Sequence, residues 1–178
     1  GGTNIALRLG HRKSVDIEFF CNEPYDTTSL QAFILKKFPE AELLFVQNQT
    51  LIFDLGGIRV DFVCYPFPWK EKIEIIDGIP CIALPDIVPM KLQAVSNRRS
   101  KKDFWDIAFL LDMYPLKTMF FIFKAKFPQI DIGYIVQSLT DFSEAESDFD
   151  PDTIVNTNWP AIKQKLTEAV KGFSFEQL

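Results

Sequence analysis

The hydrophobic period of this chain changes at Pro85, and that change limits the fold more than any other feature. Before it, apolar residues alternate with polar ones or gather in short β-rich runs at 15–20, 43–46, 50–55 and 58–64, with weaker runs at 73–76 and 81–83. Gly56-Gly57 stands between two of these runs, where a hairpin needs its turn. After Pro85, apolar residues recur at helical spacing over 86–97, about 101–113 with Ser100 as cap, 115–126 and 131–139. A terminal amphipathic helix is expected over 159–171, with Pro160 in its first turn. Two early helices complete the pattern: one over 3–10 capped by Thr3, and one capped by Thr27, Thr28 or Ser29 that Pro39 stops. The expected class is α+β, with a small mixed sheet and flanking helices over 1–84 and a helical region over 85–178.

The 178 residues suit one domain, or a compact domain with a helical appendage. An apolar fraction of 47% with 18 Phe is ample for a core. No apolar run approaches the roughly 20 residues that span a bilayer. The densest, at 119–123, is followed by lysines, and no signal peptide is visible, so a cytoplasmic protein without a membrane anchor is expected. Cys21, Cys64 and Cys81 are widely spaced, which fits a reducing compartment better than a disulfide framework or a zinc site. His11, the only histidine, argues against histidine-based metal binding and catalytic triads. The net charge of −5 argues against a protein coated in positive potential. A local basic surface is still expected from Arg8, Arg12, Lys13, Arg98, Arg99, Lys101 and Lys102, and 141–152 reads as an acidic loop.

Chemistry enters with "GHRKSVDIEFF", residues 10–20. On a strand, Val15, Ile17 and Phe19 take one face and Asp16 and Glu18 the other, about 6.5 to 7 Å apart along the backbone. Asp61, in "GIRVDFV", lies on a second strand, sharing a face with Arg59. If those strands are neighbours, three carboxylates converge, which is costly unless a cation neutralises them. Mg²⁺ takes such oxygen ligands and keeps room for water and substrate phosphates. Taken alone, Asp16 and Glu18 also read as the wet face of an edge strand. Gly1-Gly2-Thr3 leads into a helix upstream, where bare backbone N–H groups suit a phosphate.

The stretch "GGTNIALRLGHRKSVDIEFF" resembles the first motif of nucleotidyltransferases with the DNA polymerase β-like fold, and more closely that of the AbiEii/AbiGii toxin-like family. Arg12, Ser14, Asp16 and the position of Glu18 match the family's Arg-x-Ser-x-Asp-hydrophobic-Asp pattern. "KLQAVSNRRSKKDFWDI" matches a later signature through Lys91, Arg98, Lys102, Asp103 and Asp106. The matches fall in order over about residues 1–112.

The resemblance implies transfer of a nucleoside monophosphate from an NTP to a hydroxyl of an RNA (tRNA included) or a protein, with pyrophosphate leaving. It implies the toxin of an abortive-infection-type toxin–antitoxin pair, with an antitoxin protein as partner. Asp16, Glu18 and Asp61 would hold Mg²⁺ or Mn²⁺, with Asp61 helping to deprotonate the acceptor. Gly1, Gly2, Thr3, Ser14, Arg12, Lys91 and Arg98 would contact the nucleotide, and Asp103 would orient Lys91 or the nucleotide. Without the resemblance, Lys91 and Arg98 are a solvated helix face, Asp103 and Asp106 are first-turn acids, and His11, Phe104 and Trp105 are structural. Two departures stand out: Glu18 occupies a position where the family usually has Asp, and the strand that precedes the glycines in complete members would lie upstream of Gly1. The alternative expectation is therefore a degenerate nucleotidyltransferase fold that binds a nucleotide or a partner without catalysis, using the acidic loop and terminal helix as its surface.

Overall fold

A computed structural model describes residues 1–174. In chain order the elements are α1 (Gly2–Leu9), β1 (Ile17–Cys21), α2 (Thr27–Lys37), β2 (Ala41–Gln47), β3 (Thr50–Leu55), β4 (Arg59–Cys64), β5 (Glu74–Ile76), β6 (Ile79–Cys81), α3 (Leu84–Arg98), α4 (Lys101–Leu110), α5 (Leu116–Lys126), α6 (Ile132–Ser138) and α7 (Trp159–Lys171). The class is α+β, as the change of period at Pro85 requires. Among the described residues there are two compact units: one is 14–69, and the other is 1–13 together with 70–174. The change of period at Pro85 is therefore not a unit boundary: α1 belongs to the helical unit.

In unit 14–69 the sheet order is β1-β4-β3-β2. β1 runs parallel to β4, while β4–β3 and β3–β2 are antiparallel. The β3–β4 turn is Gly56-Gly57, with φ of 65° and 87°. Two central residues with positive φ match the right-handed twist of the flanking strands, and glycine adopts that backbone without a Cβ clash. The same turn geometry recurs at Asn48-Gln49, with φ of 50° and 61°. Ile34, Ala41, Leu51 and Phe53 form the core, with Tyr25, Leu30 and Phe62 packed against them. Asp26, rather than the hydroxyl residues after it, caps α2 by accepting from the backbone N–H groups of Thr28 and Ser29. A carboxylate one residue earlier reaches the same orphan donors and suits the helix dipole.

In the other unit, α3 packs against α4, α5 and α6, and α4 against α1 and α7. Phe104 and Trp105 are fully buried, and Trp105 stacks on Trp159 of α7 at 5.6 Å. β5 and β6 form a separate hairpin. Ser100 stands at the N-cap of α4, but its side chain makes no cap bond. Asp148 substitutes: its carboxylate accepts from Lys101 N at 2.9 Å and from Ser100 Oγ at 3.1 Å.

That exchange belongs to a wider pattern which corrects two expectations about surface charge. The acids of 141–152 are drawn onto neighbouring cations: Glu144 onto Arg99, Glu146 onto Lys163, Asp150 onto Lys101 and Asp152 onto Lys13. Arg8 pairs with Glu74, and Arg98 with Asp103. The acidic loop and the basic stretches thus neutralise one another inside this unit. Opposite charges from distant segments screen each other once folding brings them within contact, so neither persists as a one-sign surface.

Candidate active site

The candidate residues fall into two sets, one in each unit. In unit 14–69 the parallel register of β1 and β4 makes Glu18 the direct partner of Asp61. Partners in a parallel ladder project to one side of the sheet, and Asp16, two residues before Glu18, shares that side. The condition set by the sequence, that the two strands be neighbours, is met. The alternation along β1 also holds, but its sense is unusual. Val15, Ile17 and Phe19 are the exposed positions, at 74%, 39% and 49%, while Asp16 and Glu18 are only half exposed.

A cation already serves this acidic face. Arg59 donates from Nε to Asp61 Oδ1 at 2.9 Å and from Nη2 to Oδ2 at 3.2 Å. Its hydrogen bond to Asp61 is the largest influence raising the guanidinium's pKa, with further contributions from the charges of Asp61, Asp16 and Glu18. Arg59 therefore lies in the field of all three carboxylates. The sequence placed it on the right face without giving it a role; the i, i+2 spacing to Asp61 was the available signal. Among the described residues, no group of three or more His, Cys, Asp or Glu side chains is placed so that it could hold a metal ion. The donor chemistry nevertheless suits a hard divalent cation, since all three groups offer carboxylate oxygen.

The second set forms a buried charge cluster in the unit of 1–13 and 70–174. Asp103 and Asp106 are one helical turn apart on α4 and are both fully buried. Asp106 accepts from Arg12 Nε at 2.7 Å and Nη2 at 2.9 Å, and from His11 Nε2 at 2.8 Å. Lys91 Nζ lies 2.9 Å from Asp106 Oδ2 and 2.7 Å from Asp103 Oδ1. Arg98 closes the group with a bidentate contact on Asp103 at 2.6 and 2.9 Å. Burial alone would raise both carboxyl pKa values, but the cations outweigh it. Lys91 leads for Asp106 and the Arg98 hydrogen bond leads for Asp103, and both carboxyls end below the usual range. Burial likewise opposes the charge on Lys91, and Asp106 and Asp103 together hold its pKa above the ordinary lysine value.

Lys91 is thus a buried, doubly paired ammonium rather than part of a solvated helix face. Asp106 is the hub of the cluster, a role that its match to the later signature did not disclose. His11 is fully buried, with its ring at 4.9 Å from that of Phe109.

The glycine motif meets the same cluster. A Cβ on Gly2 would stand 2.7 Å from Arg12 Nη2, 3.4 Å from Lys91 Nζ and 3.5 Å from Asp106 Oδ2. The first turn of α1 packs on the charge cluster so closely that only glycine fits without displacing Arg12. Two motifs roughly ninety residues apart in sequence therefore form one structure.

A family model described as nucleotidyl transferase AbiEii toxin, type IV TA system, matches residues 1–177. The uncharacterized protein aq_aa25 of Aquifex aeolicus is 34% identical over 179 residues, covering 97% of this chain and 85% of its own. Among solved structures, JHP933 from Helicobacter pylori superposes with a TM-score of 0.51 at 14% identity, covering 95% of this chain and 78% of the other. The last likeness concerns the fold alone.

Proposed function

The chain belongs to the AbiEii nucleotidyltransferase toxin family of type IV toxin–antitoxin systems, and from that premise we propose that it moves a nucleoside monophosphate from an NTP to a hydroxyl, with pyrophosphate leaving. The observation that carries this reading is the β1–β4 register, which sets Glu18 against Asp61 with Asp16 on the same side. Asp16, Glu18 and Asp61 are the residues that would hold Mg²⁺ or Mn²⁺, which when bound would polarise the triphosphate and favour ionisation of the attacking hydroxyl. Asp61 has the further role of accepting the acceptor's proton, which requires Arg59 to release it. Ser14 offers a hydroxyl two residues before Asp16.

In the other unit, Gly1, Gly2 and Thr3 open α1 with backbone N–H groups of the kind that meet phosphate oxygens. Arg12 and Lys91, neutralised in part by Asp103 and Asp106, back that first turn with positive charge, and Arg98 adds a further cation on Asp103. Lys91 and Asp103 act here as positioning residues for the glycine turn. We propose RNA, tRNA included, as the acceptor class and an antitoxin protein as partner, both on the strength of the family. The basic stretches lend the RNA reading no support, since their charges are largely spent on internal carboxylates. No helix among the described residues is long and apolar enough to cross a membrane.

The test is incubation with each α-labelled NTP, Mg²⁺, and total cellular RNA and protein, using wild type and Asp16→Asn. Label entering an RNA or protein with wild type only is the expected result. Equal labelling by the variant would remove Asp16 from the mechanism. One observation favours a second reading, a binding module without catalysis: Asp61 is already engaged through both oxygens by Arg59. NTP binding by calorimetry with no label transferred to any acceptor would establish that alternative.

A further inference from the structure

Cys21 and Cys64 are direct Cα partners at the carboxyl ends of the parallel strands β1 and β4. Partners in a parallel ladder carry their side chains on one side, at the separation between neighbouring strands of about 4.8 Å. That lies within the Cα separations of about 4.4 to 6.8 Å that a disulfide bridges. Neither thiol is sealed in the core: both are half-buried and free, whereas Cys81 is buried in the other unit. The surroundings add a third group. Tyr25 donates its hydroxyl to the carbonyls of Gln49 and Phe62, at 3.1 and 2.9 Å, and its pKa is raised by burial and by both thiols. Burial and the neighbouring Cys64 likewise push the Cys21 thiol up. Cys21 and Tyr25 also line a cavity of about 250 Å³ with Phe19, Phe20, Leu30 and Phe62, through which a small reagent can approach.

We propose that Cys21 and Cys64 are a reversible dithiol–disulfide site that staples β1 to β4 three positions beyond the Glu18–Asp61 pair. The oxidant is a low-molecular-weight disulfide. One cysteine thiolate attacks a sulfur of that disulfide, forming a mixed disulfide and releasing one small thiol. The second cysteine, after losing its proton, attacks the protein-side sulfur, forming the Cys21–Cys64 bond and releasing the second small thiol. Two protein thiols are oxidised and one small disulfide is reduced to two thiols. This chemistry fits a reducing compartment, where protein disulfides are transient and regulatory rather than structural. It is independent of the transfer reaction, because nothing in it calls on the carboxylates.

The full chain, equilibrated in graded ratios of reduced to oxidised glutathione, is acid-quenched, alkylated and mapped by mass spectrometry. The expected result is an intramolecular loss of about 2 Da, assigned to a Cys21–Cys64 peptide pair, with Cys81 still alkylated and full reversal by dithiothreitol. Cys81→Ser keeps the bridge. Cys64→Ser converts it to a glutathione adduct on Cys21. The oxidised chain unfolds at higher temperature than the reduced one, and Cys64→Ser abolishes that difference. Separate glutathione adducts on Cys21 and Cys64 of the wild type, a bridge to Cys81, or a link between two chains would each overturn the proposal.

Discussion

Arg59 grips Asp61 through both carboxylate oxygens, at 2.9 and 3.2 Å, on the strand that also sets Asp61 against Glu18. The guanidinium is the acidic face's own counter-ion. It competes with any divalent cation for one of the three carboxylates, and it keeps the cluster from repelling itself when no metal is present.

Arg59→Ala is therefore expected to tighten divalent binding. The pair is half exposed on the arginine side, so its contribution is that of a surface ion pair, and removing it should improve Mn²⁺ affinity by about two- to fivefold. Titration calorimetry in Mn²⁺, with no nucleotide present, measures the change. A weaker affinity in the variant would mean that Arg59 positions the carboxylates instead of competing for them.

Lys91→Met tests the buried cluster. The change leaves Asp103 and Asp106 in the core with one cation fewer each, and breaking a buried pair from one side costs about 3–5 kcal/mol. The residual contacts from Arg98, Arg12 and His11 place the expectation at the low end of that range. Urea denaturation followed by circular dichroism reads the loss directly. A cost below about 1 kcal/mol, the size of a surface pair, would show that Lys91 is not held as described.

Gly2→Ala should be disproportionately harmful for so small a change. The added methyl would meet Arg12 Nη2 at 2.7 Å, and Arg12 cannot swing away without releasing Asp106. The expected destabilisation is about 1–3 kcal/mol, the usual cost of overpacking. An alanine at a helix start would otherwise be neutral or favourable, so the sign of the measured change decides the matter.

Acid should undo the same cluster. The carboxyls of Asp103 and Asp106 are depressed in the folded state and return to about 3.9 on unfolding. Groups of that kind contribute stability that is fully present above the unfolded value and is lost as pH falls toward the folded one. Asp86, which accepts from the backbone N–H groups of Lys70 and Glu71 and pairs with Lys126, adds to the trend in the same direction. Urea midpoints should hold steady from about pH 7 to about pH 5 and fall steeply below about pH 4. In Asp106→Asn the slope below that point should be shallower.

Much of the fold was legible because it rests on local rules. Gly56-Gly57 declared its hairpin, since two consecutive positive-φ residues favour glycine, and the helical spacing after Pro85 is where α3 to α6 form. Asn48-Gln49 was not legible as a turn, because Gln49 adopts positive φ against its own preference and is held there by the strands on either side. Caps were misassigned for a related reason. Ser100 has the right chemistry at the right place, but Asp148, forty-eight residues away, supplies a charge that a hydroxyl cannot match.

The residues of the candidate site were visible by type, while their physical state was not. Local spacing alone determined that Asp16 and Glu18 share a face, that Asp103 and Asp106 lie a turn apart, and that a glycine pair opens the first helix, because strand and helix periods are properties of the backbone. Only the tertiary structure decided that Lys91 is buried between two carboxylates and that Cys21 lies beside Cys64. Each of these depends on which distant segments pack together, and the free energy of a charge or a thiol is set by the neighbours and the water that packing leaves around it.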